Sequence, residues 1–529
     1  MSDYKASKEA FVSGMTGSSI THINVVSAVA LSSIALYSAL RSRLPPSKSL
    51  IFPAEWLLLV APLLLSMTLF ANSPGILSLI LLFPTVLLML VPRRESGTPL
   101  PSNLRSPSPN RTPYAPTPPH GQQSPIVQLP ALTTYRAHMI LMTVLSILAV
   151  DFPVFPRSLA KCETYGVSLM DLGVGSFVFS QGIVSAIPII KSPDHLSSPL
   201  KPKIIRVLRK SLPIWVLGFL RLIVVKLSDY PEHGSEYGTH WNFFFTMGTL
   251  PILEVLLHPI LPFAPVSMIA IAIALSHQVA LSVAGWREFV LFAPRTNLLS
   301  ANKEGIVSLF GYLAIHLLGL STGTMILPPS PSYFRRQQLE TLKARSRRDS
   351  NAGLATPSGT SPQREDDKAA TELAAYAILW WTFLGLSSFL ASVAGVSRRL
   401  VNLPYILWVA AFNTSFILAY FLLDLFFFPS PLYKSIYSPT SKLKVPKERR
   451  KFPTETQNPP VKDAPVLLQA TNQNGISVFL LANVGTGFVN LAFPTMYMND
   501  VSAMVILSVY SIGVCLFAWM TRGRRLWKL

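Results

Sequence analysis

The sequence predicts an all-α protein that crosses a membrane many times. Its residues are 50% hydrophobic and only 13% charged, whereas soluble globular domains carry about 25% charged residues. The apolar residues form runs, and about 13 of these approach the roughly 20 residues that a helix needs to span a bilayer. We therefore expect a single membrane-embedded domain over residues 1–529. The runs lie near residues 23–40, 52–71, 75–91, 133–150, 167–189, 204–227, 241–259, 264–284, 305–327, 373–394, 400–428, 476–493 and 501–520.

The distribution of basic residues predicts how the chain is oriented. The formal net charge is +20, and the excess lies in alternate linkers and in the C-terminal segment TRGRRLWKL. The linker at 228–240 instead carries three acids and no Lys or Arg. Because basic linkers stay on the cytosolic side, we expect a lumenal N-terminus, a cytosolic C-terminus and lumenal segments at 151–166, 285–304 and 395–400. The charge therefore indicates topology and disfavours nucleic-acid binding.

Three linkers that are predicted to be cytosolic are rich in Pro, Ser and Thr. They lie at about 93–131, 328–371 and 430–472, and segments of this composition bury too little apolar surface to fold. We expect disordered linkers there, apart from a short surface helix in SYFRRQQLETLKARSRR. Two cysteines exclude a disulfide scaffold. Cys162 is either a nucleophile or, more simply, a small filler residue.

Ionisable residues cluster between the fourth and fifth apolar runs. The fourth run stops at Asp151, and the segment FPVFPRSLAK follows, with Lys161 at its end. Its two prolines break a helix, so the segment is expected to fold back and to bring Asp151 and Lys161 together. Acyl transfer to an alcohol needs a base for the hydroxyl and positive charge for the thioester oxyanion, and this pair supplies both. The alternative is a structural ion pair that joins two helix ends.

Other polar residues near the predicted lumenal ends of the runs are candidates for substrate binding. Asp171 lies inside the fifth run, where a charge is costly, and should face the interior as a site residue or as the partner of a buried cation. Basic side chains can hold a phosphodiester, although helix caps and interhelical amide bonds explain the same patterns. We expect no metal site. The candidates are Arg157, Asp171, Arg287, Arg295, Asn297, Asn302, Lys303, Arg398, Arg399, Asn402 and Asn483.

Five segments carry a resemblance to a known family. They are FVSGMTGSSITHIN, ILAVDFPVFPRSLAKCETYGVSLMDLGVGSFVFS, REFVLFAPRTNLLSANKEGIVSLFGYL, RRLVNLPYILW and NQNGISVFLLANVGTGFVNL, in this order along nearly the whole chain. The chain resembles the glycosylphosphatidylinositol (GPI) inositol acyltransferases of the endoplasmic reticulum, known in fungi as the GPI-anchored wall transfer proteins. The number of spans in that family agrees with the number of apolar runs.

The resemblance implies a multi-pass protein of the endoplasmic reticulum membrane. Such an enzyme moves a fatty acyl group, usually palmitoyl, from acyl-CoA to the inositol 2-hydroxyl of glucosaminyl-phosphatidylinositol. Acyl-CoA is then a co-substrate, membrane lipids surround the protein, and no further cofactor is expected.

The resemblance also implies roles for individual residues. Asp151 and Lys161 match the family's catalytic pair, with Asp151 as the base and Lys161 either stabilising the oxyanion or holding Asp151 ionised. Ser158 stands where the family has a second basic residue, which affects one possible phosphate contact. The residues alone leave two alternatives open, namely a lipid or solute transporter and a scaffold for other anchor-synthesis enzymes.

Overall fold

A computed structural model describes much of the chain outside the linkers. The described residues are 11, 13–44, 51–92, 126, 129–192, 195–196, 198–227, 234–348, 364–389, 395–428 and 464–527. Residues 93–125, 349–363 and 429–463 make up much of the three linkers predicted to be disordered, and they lie outside the described residues, so the prediction is not tested there. In the described part of the chain the secondary structure is helical without a β-strand, which confirms the all-α prediction.

The described residues fold into a series of α-helices. In chain order they are α1 (Ile20–Arg43), α2 (Ile51–Leu59), α3 (Ala61–Ser66), α4 (Pro74–Met89), α5 (Pro130–Ala149), α6 (Leu169–Lys191), α7 (Leu200–Leu227), α8 (Gly234–Tyr237), α9 (Phe243–Leu257), α10 (Val266–Ser282), α11 (Trp286–Phe292), α12 (Leu298–Ala301), α13 (Lys303–Ile326), α14 (Tyr333–Arg348), α15 (Asp366–Ser387), α16 (Leu403–Phe427), α17 (Val466–Gln473), α18 (Gly475–Ala492) and α19 (Asp500–Met520).

The described helices support a polytopic membrane protein. Eight of them are long and apolar enough to cross a membrane, and the count is nine if the bent pair α10 and α11 forms one span. Every predicted apolar run coincides with a helix. The remaining runs form helices that are short, broken or, in α7, rich in basic residues. Thirteen crossings and the orientation of the termini therefore stay predictions.

Two described helices lie largely within the stretches that were predicted to be disordered, and α15 begins inside one of them at Asp366, so the prediction of disorder is wrong for residues 366–371. The first is α14, which confirms the short helix expected in SYFRRQQLETLKARSRR. The second is α17, so the prediction of disorder is wrong for residues 466–472. The carboxylate of Glu55, in the second apolar run, accepts hydrogen bonds from the backbone N–H groups of Val466 and Leu467 at 3.1 and 2.6 Å. The buried Glu55 carboxylate thus accepts hydrogen bonds from the free N–H groups at the start of α17. The sequence of the linker itself contains no signal that predicts this contact.

The contact between α6 and α13 lies at the centre of the bundle. Gly182 of α6 faces the backbone of His316, and Gly319 of α13 faces the backbone of Phe179. A Cβ atom at either glycine would overlap the opposing carbonyl, so these glycines allow the two helices to touch. This contact fixes the positions of the buried polar side chains that both helices carry.

Loops from distant parts of the sequence meet at one end of the bundle. We call this the loop end; it consists of residues 13–19, 150–168, 234–242, 285–302, 395–402 and 493–499. Thr164 is held through its carbonyl by Ser397, and the N–H of His240 donates to Asn302 Oδ1 at 2.8 Å. The charge pattern assigns these same loops to one side of the membrane, and the structure brings them together. Which side of the membrane they face stays a prediction.

Candidate active site at the loop end

The loop 150–168 connects α5 to α6 and forms the floor of the candidate site. Helix α5 ends before the two prolines, as predicted, and a single 3₁₀ turn at Arg157–Leu159 follows. Phe152 and Phe155 are fully buried and anchor this irregular segment in the core. Helix α6 then begins with Ser168 as its cap, whose hydroxyl accepts from the N–H of Asp171 at 3.1 Å. The loop is therefore firmly held although it lacks regular structure.

The chain before α1 lies across this loop. The N–H of Ser18 donates to the carbonyl of Val167 at 2.7 Å, and the N–H of Gly14 donates to Glu163 Oε1 at 2.8 Å. Gly17 and Gly166 have positive φ angles of 82° and 142°. A Cβ atom at either position would clash with the crossing backbone, so only glycine fits there. The segment FVSGMTGSSITHIN therefore packs against the loop 150–168 through this crossing.

Asp151 is a buried carboxylate at the start of the loop. Its Oδ2 accepts a hydrogen bond from the Asn490 side-chain amide at 2.8 Å. Thr495 in turn donates its hydroxyl to Asn490 Oδ1 at 3.1 Å. Asp151 is thus oriented by α18 and by the segment after it, more than three hundred residues away in the sequence. A carboxylate that is buried and held in this way is suited to the role of a general base.

Lys161 lies in the same loop but contacts a different acid. Its Nζ donates to both carboxylate oxygens of Glu236 in α8, at 2.9 Å each. The predicted ion pair between Asp151 and Lys161 is therefore wrong, because the extended chain after the 3₁₀ turn directs Lys161 towards α8. The Lys161 side chain keeps 36% of its surface exposed and that of Glu236 keeps 18%. This pair is the accessible part of the site.

Asp171 is the buried partner of a buried cation, one of the two roles expected for it. Its Oδ1 accepts from Arg398 Nε at 2.6 Å, and both side chains are almost completely inaccessible. Its Oδ2 accepts from the N–H of Cys162 at 2.9 Å and from the Ser168 hydroxyl at 2.8 Å. The Tyr405 hydroxyl donates to the Asp171 carbonyl at 2.8 Å. Asp171 therefore connects the loop to α6, α16 and the segment before α16.

Cys162 is a filler residue in this network and not an activated nucleophile. Its thiol is buried beneath the crossing of Gly17 and Gly166. Burial and the neighbouring Asp171 carboxylate raise the pKa of Cys162 to about 12. Thiolate chemistry requires a lowered pKa, so the environment of Cys162 opposes it.

One end of the Arg157 guanidinium group, Nη1, has no hydrogen-bond partner among the described residues. Its Nη2 donates to the carbonyls of Phe152 and Phe155 at 3.0 and 2.8 Å, and the guanidinium lies 4.2 Å from the centre of the Phe11 ring. Burial lowers the pKa of Arg157 to about 10, and the Asp151 charge opposes that shift. Arg157 therefore remains a cation at neutral pH beside the candidate base.

The basic cluster at 285–304 is largely engaged with the protein itself. Glu304, fully buried, accepts from Arg295 Nη2 at 2.7 Å and from Arg399 Nη2 at 2.8 Å. Asn297 caps α12, and Lys303 donates to the carbonyl of Ala293. The helix-cap explanation therefore accounts for much of this cluster, and the roles of these residues towards a substrate stay predictions.

The remaining candidates lie in three different settings. Asn402 caps α16 and accepts from the N–H of Ser397 at 3.0 Å. Arg287 is exposed and lies 5.9 Å from the centre of the Tyr165 ring. Asn483 is exposed on α18 and donates to a carbonyl of its own helix at 2.7 Å. Asn402 thus belongs to the loop end as a structural residue, whereas no described contact joins Asn483 to the loop 150–168.

Comparison with known proteins places this architecture in a family. The family described as GWT1 matches residues 4–521. The chain belongs to the GWT1 family. It is 37% identical over 530 residues to GPI-anchored wall transfer protein 1 of Gibberella zeae, with 97% of this chain and 96% of the relative covered. It is 38% identical over 524 residues to the protein of that name from Aspergillus oryzae, covering 96% of each, and 36% identical over 642 residues to that of Cryptococcus neoformans var. grubii, covering 99% of this chain and all of the relative.

Several residues of the site in this GWT1-family chain escape analysis of the sequence. Glu236 lies in the acid-rich linker that the charge pattern only marks as lumenal. Asn490 belongs to the polar stripe in NQNGISVFLLANVGTGFVNL, but its partner could not be inferred. Tyr237 lies in the same linker as Glu236 and Tyr312 lies in an apolar run, and the sequence marks neither of them, although both lie beside Arg398. Only the three-dimensional contacts single them out.

Proposed function

We propose that this protein is an O-acyltransferase of GPI-anchor biosynthesis. It moves a fatty acyl group, palmitoyl in the simplest case, from acyl-CoA to the inositol 2-hydroxyl of glucosaminyl-phosphatidylinositol in the endoplasmic reticulum membrane. Membership of the GWT1 family over residues 4–521 supports a role in GPI-anchor biosynthesis. The observation that carries the reaction type is the loop 150–168, which holds a buried carboxylate, Asp151, and a partly exposed ammonium, Lys161.

The proposed mechanism uses Asp151 as the base. Asp151 takes the proton of the inositol hydroxyl while that oxygen attacks the thioester carbonyl carbon. The tetrahedral intermediate then collapses, the carbon–sulfur bond breaks, and the CoA thiolate takes the proton from Asp151. Asn490 orients the carboxylate. Lys161, held by Glu236, supplies positive charge to the developing oxyanion; with Glu236 as its partner, holding Asp151 ionised is the less supported of its two expected roles.

The direct test is acylation by the purified full-length protein in lipid nanodiscs. Labelled palmitoyl-CoA and glucosaminyl-phosphatidylinositol should give an inositol-acylated lipid and free CoA in equal amounts. Asp151→Asn should lower the rate by about 10²–10⁴-fold, as expected for the loss of a general base. Lys161→Ala should lower it by about 10²-fold or more.

Matched controls come from an exposed pair elsewhere in the chain. Asp367→Asn and Lys368→Ala make the same changes on the exposed first turn of α15 and should leave the rate unchanged. Size-exclusion profiles and melting temperatures establish that each variant is folded. Full activity in a folded Asp151→Asn protein removes Asp151 from the mechanism, and lipid movement without acylation by the wild type favours a transporter.

A further inference from the structure

Three buried donor atoms, two at the loop end and one beside it on α13, make no hydrogen bond within the described part of the chain. They are Arg398 Nη1 and the hydroxyl oxygens of Tyr237 and Tyr312. Each side chain is at least nine-tenths buried. Buried donors are almost always paired, because an unmade hydrogen bond in the interior is costly. Three such atoms in one place therefore indicate an acceptor that binds there.

The three donors come from three elements but lie together. The Arg398 guanidinium, in the segment before α16, lies 5.7 Å from the centre of the Tyr237 ring at the end of α8. Tyr312 of α13 lies beside both, and its hydroxyl interacts with the Tyr237 hydroxyl and the Arg398 guanidinium, although no contact among the three has the geometry of a hydrogen bond. The next residue outward is Glu236, which holds Lys161. The three donors thus lie on the buried side of the accessible ion pair between Lys161 and Glu236.

Charge balance indicates which acceptor fits. The Arg398 charge is neutralised by Asp171, and the Lys161 charge is neutralised by Glu236. The four charges sum to zero, so the cluster offers hydrogen-bond donors without an excess positive charge. A phosphate group would bring a full negative charge that these four charges do not balance. A neutral carbonyl oxygen is a suitable acceptor for these three donors, and the donors stabilise it further as it acquires negative charge.

We propose that Arg398, Tyr237 and Tyr312 hold the thioester carbonyl oxygen of acyl-CoA and stabilise the oxyanion formed there. This inference rests on the proposed function. When the inositol oxygen attacks, the C=O π electrons move onto this oxygen, and they return when the carbon–sulfur bond breaks. Fixed donors in a dry site stabilise such a charge without having to reorganise. Tyr237 and Tyr312 are then catalytic residues, and Asp171 positions Arg398.

Removal of single hydroxyl groups tests the proposal. Tyr312→Phe and Tyr237→Phe should each lower kcat for acyl transfer by about 10²-fold, the effect of losing one oxyanion donor. Because these hydroxyls make no well-formed hydrogen bond in the described protein, their removal should leave the melting temperature unchanged or raise it.

The control is a buried tyrosine whose hydroxyl is bonded. Tyr510 donates to the carbonyls of Ala482 and Val144 at 3.0 and 3.2 Å. Tyr510→Phe should therefore lower the melting temperature and leave kcat per folded molecule unchanged. If the two site variants behave like Tyr510→Phe, the donors bind an ordered water molecule or the protein itself, and the proposal is wrong.

A pair of acyl-CoA analogues separates binding from catalysis. One analogue is a ketone, S-(2-oxoheptadecyl)-CoA, which keeps a carbonyl oxygen; the other is the thioether S-heptadecyl-CoA, which lacks it. The wild type should bind the ketone more tightly, and Tyr312→Phe should reduce that preference. An active wild type with no preference and unaffected variants overturns this inference alone. A folded wild type that does not acylate the lipid at all contradicts the proposed function.

Discussion

Two buried carboxylates of the bundle are bound by different kinds of side chain. Asp171 at the loop end accepts from Arg398 Nε at 2.6 Å. Glu254 of α9 lies 2.8 Å from His316 Nε2 and 3.4 Å from His258 Nε2. Arginine keeps its charge at every pH at which proteins fold, whereas an imidazole can donate an N–H hydrogen bond to a carboxylate without carrying a charge. Asp171 is therefore held by a permanent ion pair, whereas the contacts of Glu254 are hydrogen bonds to imidazole nitrogens that do not require a charged partner.

The largest loss of stability is expected when the ion pair between Asp171 and Arg398 is broken. Asp171→Asn leaves Arg398 charged, buried and without its counterion, and such a change costs about 3–5 kcal/mol of folding free energy. Glu254→Gln is the matched change in the other cluster. Because an imidazole can donate its N–H to an amide oxygen as well as to a carboxylate, we expect a loss of only about 1–2 kcal/mol. Melting temperatures and folded yield in detergent measure both.

The difference between the two losses of stability shows whether the kind of side chain that binds the carboxylate affects the stability of the fold. Equal losses in the two variants would contradict the distinction between a permanent ion pair and hydrogen bonds to imidazole. The double variant Asp171→Asn with Arg398→Gln removes both charges of the first pair. It should be more stable than Asp171→Asn alone, since no uncompensated ion remains.

A smaller effect is expected at the helix contact that lies between the two clusters. Gly182→Ala places a methyl group against the backbone of His316, and forced overpacking of this kind costs about 1–3 kcal/mol. Because Tyr312 and His316 lie one turn apart on α13, a shift of this helix should disturb both clusters together. Gly385→Ala in α15 is the control, since nothing lies within 4 Å of its added Cβ. Loss of stability in the control but not in Gly182→Ala would contradict the packing argument.

The smallest effect is expected for the alkylation of the Cys162 thiol, whose reactivity depends on the neighbouring Asp171 charge. With its pKa raised to about 12, Cys162 has only about 10⁻⁴ of its molecules as thiolate at pH 8. In a Cys515→Ala background, iodoacetamide should therefore leave the folded protein unlabelled and label it after denaturation. Removing the neighbouring charge in Asp171→Asn should speed the labelling of Cys162. Cys162→Ala should retain acyl transfer, and loss of transfer in a folded variant would return this residue to the candidate nucleophiles.

The sequence predicts the helices well because the signals for them are local. Apolar runs mark the helices, and the prolines after Asp151 mark the end of α5. The cost of a lone charge in a membrane span also predicts correctly that Asp171 faces the interior. Each of these inferences depends on residues that are close together in the chain.

The partners of the site residues are not predictable in the same way. Lys161 is satisfied by Glu236, 75 positions later, although Asp151 is only ten residues away. Asp151 contacts Asn490, and Glu55 holds the start of α17 across 412 positions. Such contacts depend on how the helices pack, and one sequence contains several equally plausible partners for every charge. The unpaired hydroxyls of Tyr237 and Tyr312 leave no trace in the sequence at all.

The loop 150–168 is held by residues from both ends of the chain, and this has a consequence for biosynthesis. Ser18 is made before the loop, whereas Ser397 and Asn490 are made long after it. At about 5–20 residues per second of translation, the 339 residues between Asp151 and Asn490 take about 20–70 s to appear. Ribosome-bound chains that stop before residue 395 should therefore expose Cys162 to alkylation, which the complete protein prevents. A nascent chain of this protein carries its candidate base in the membrane for most of its synthesis and completes the site only when its last helices emerge.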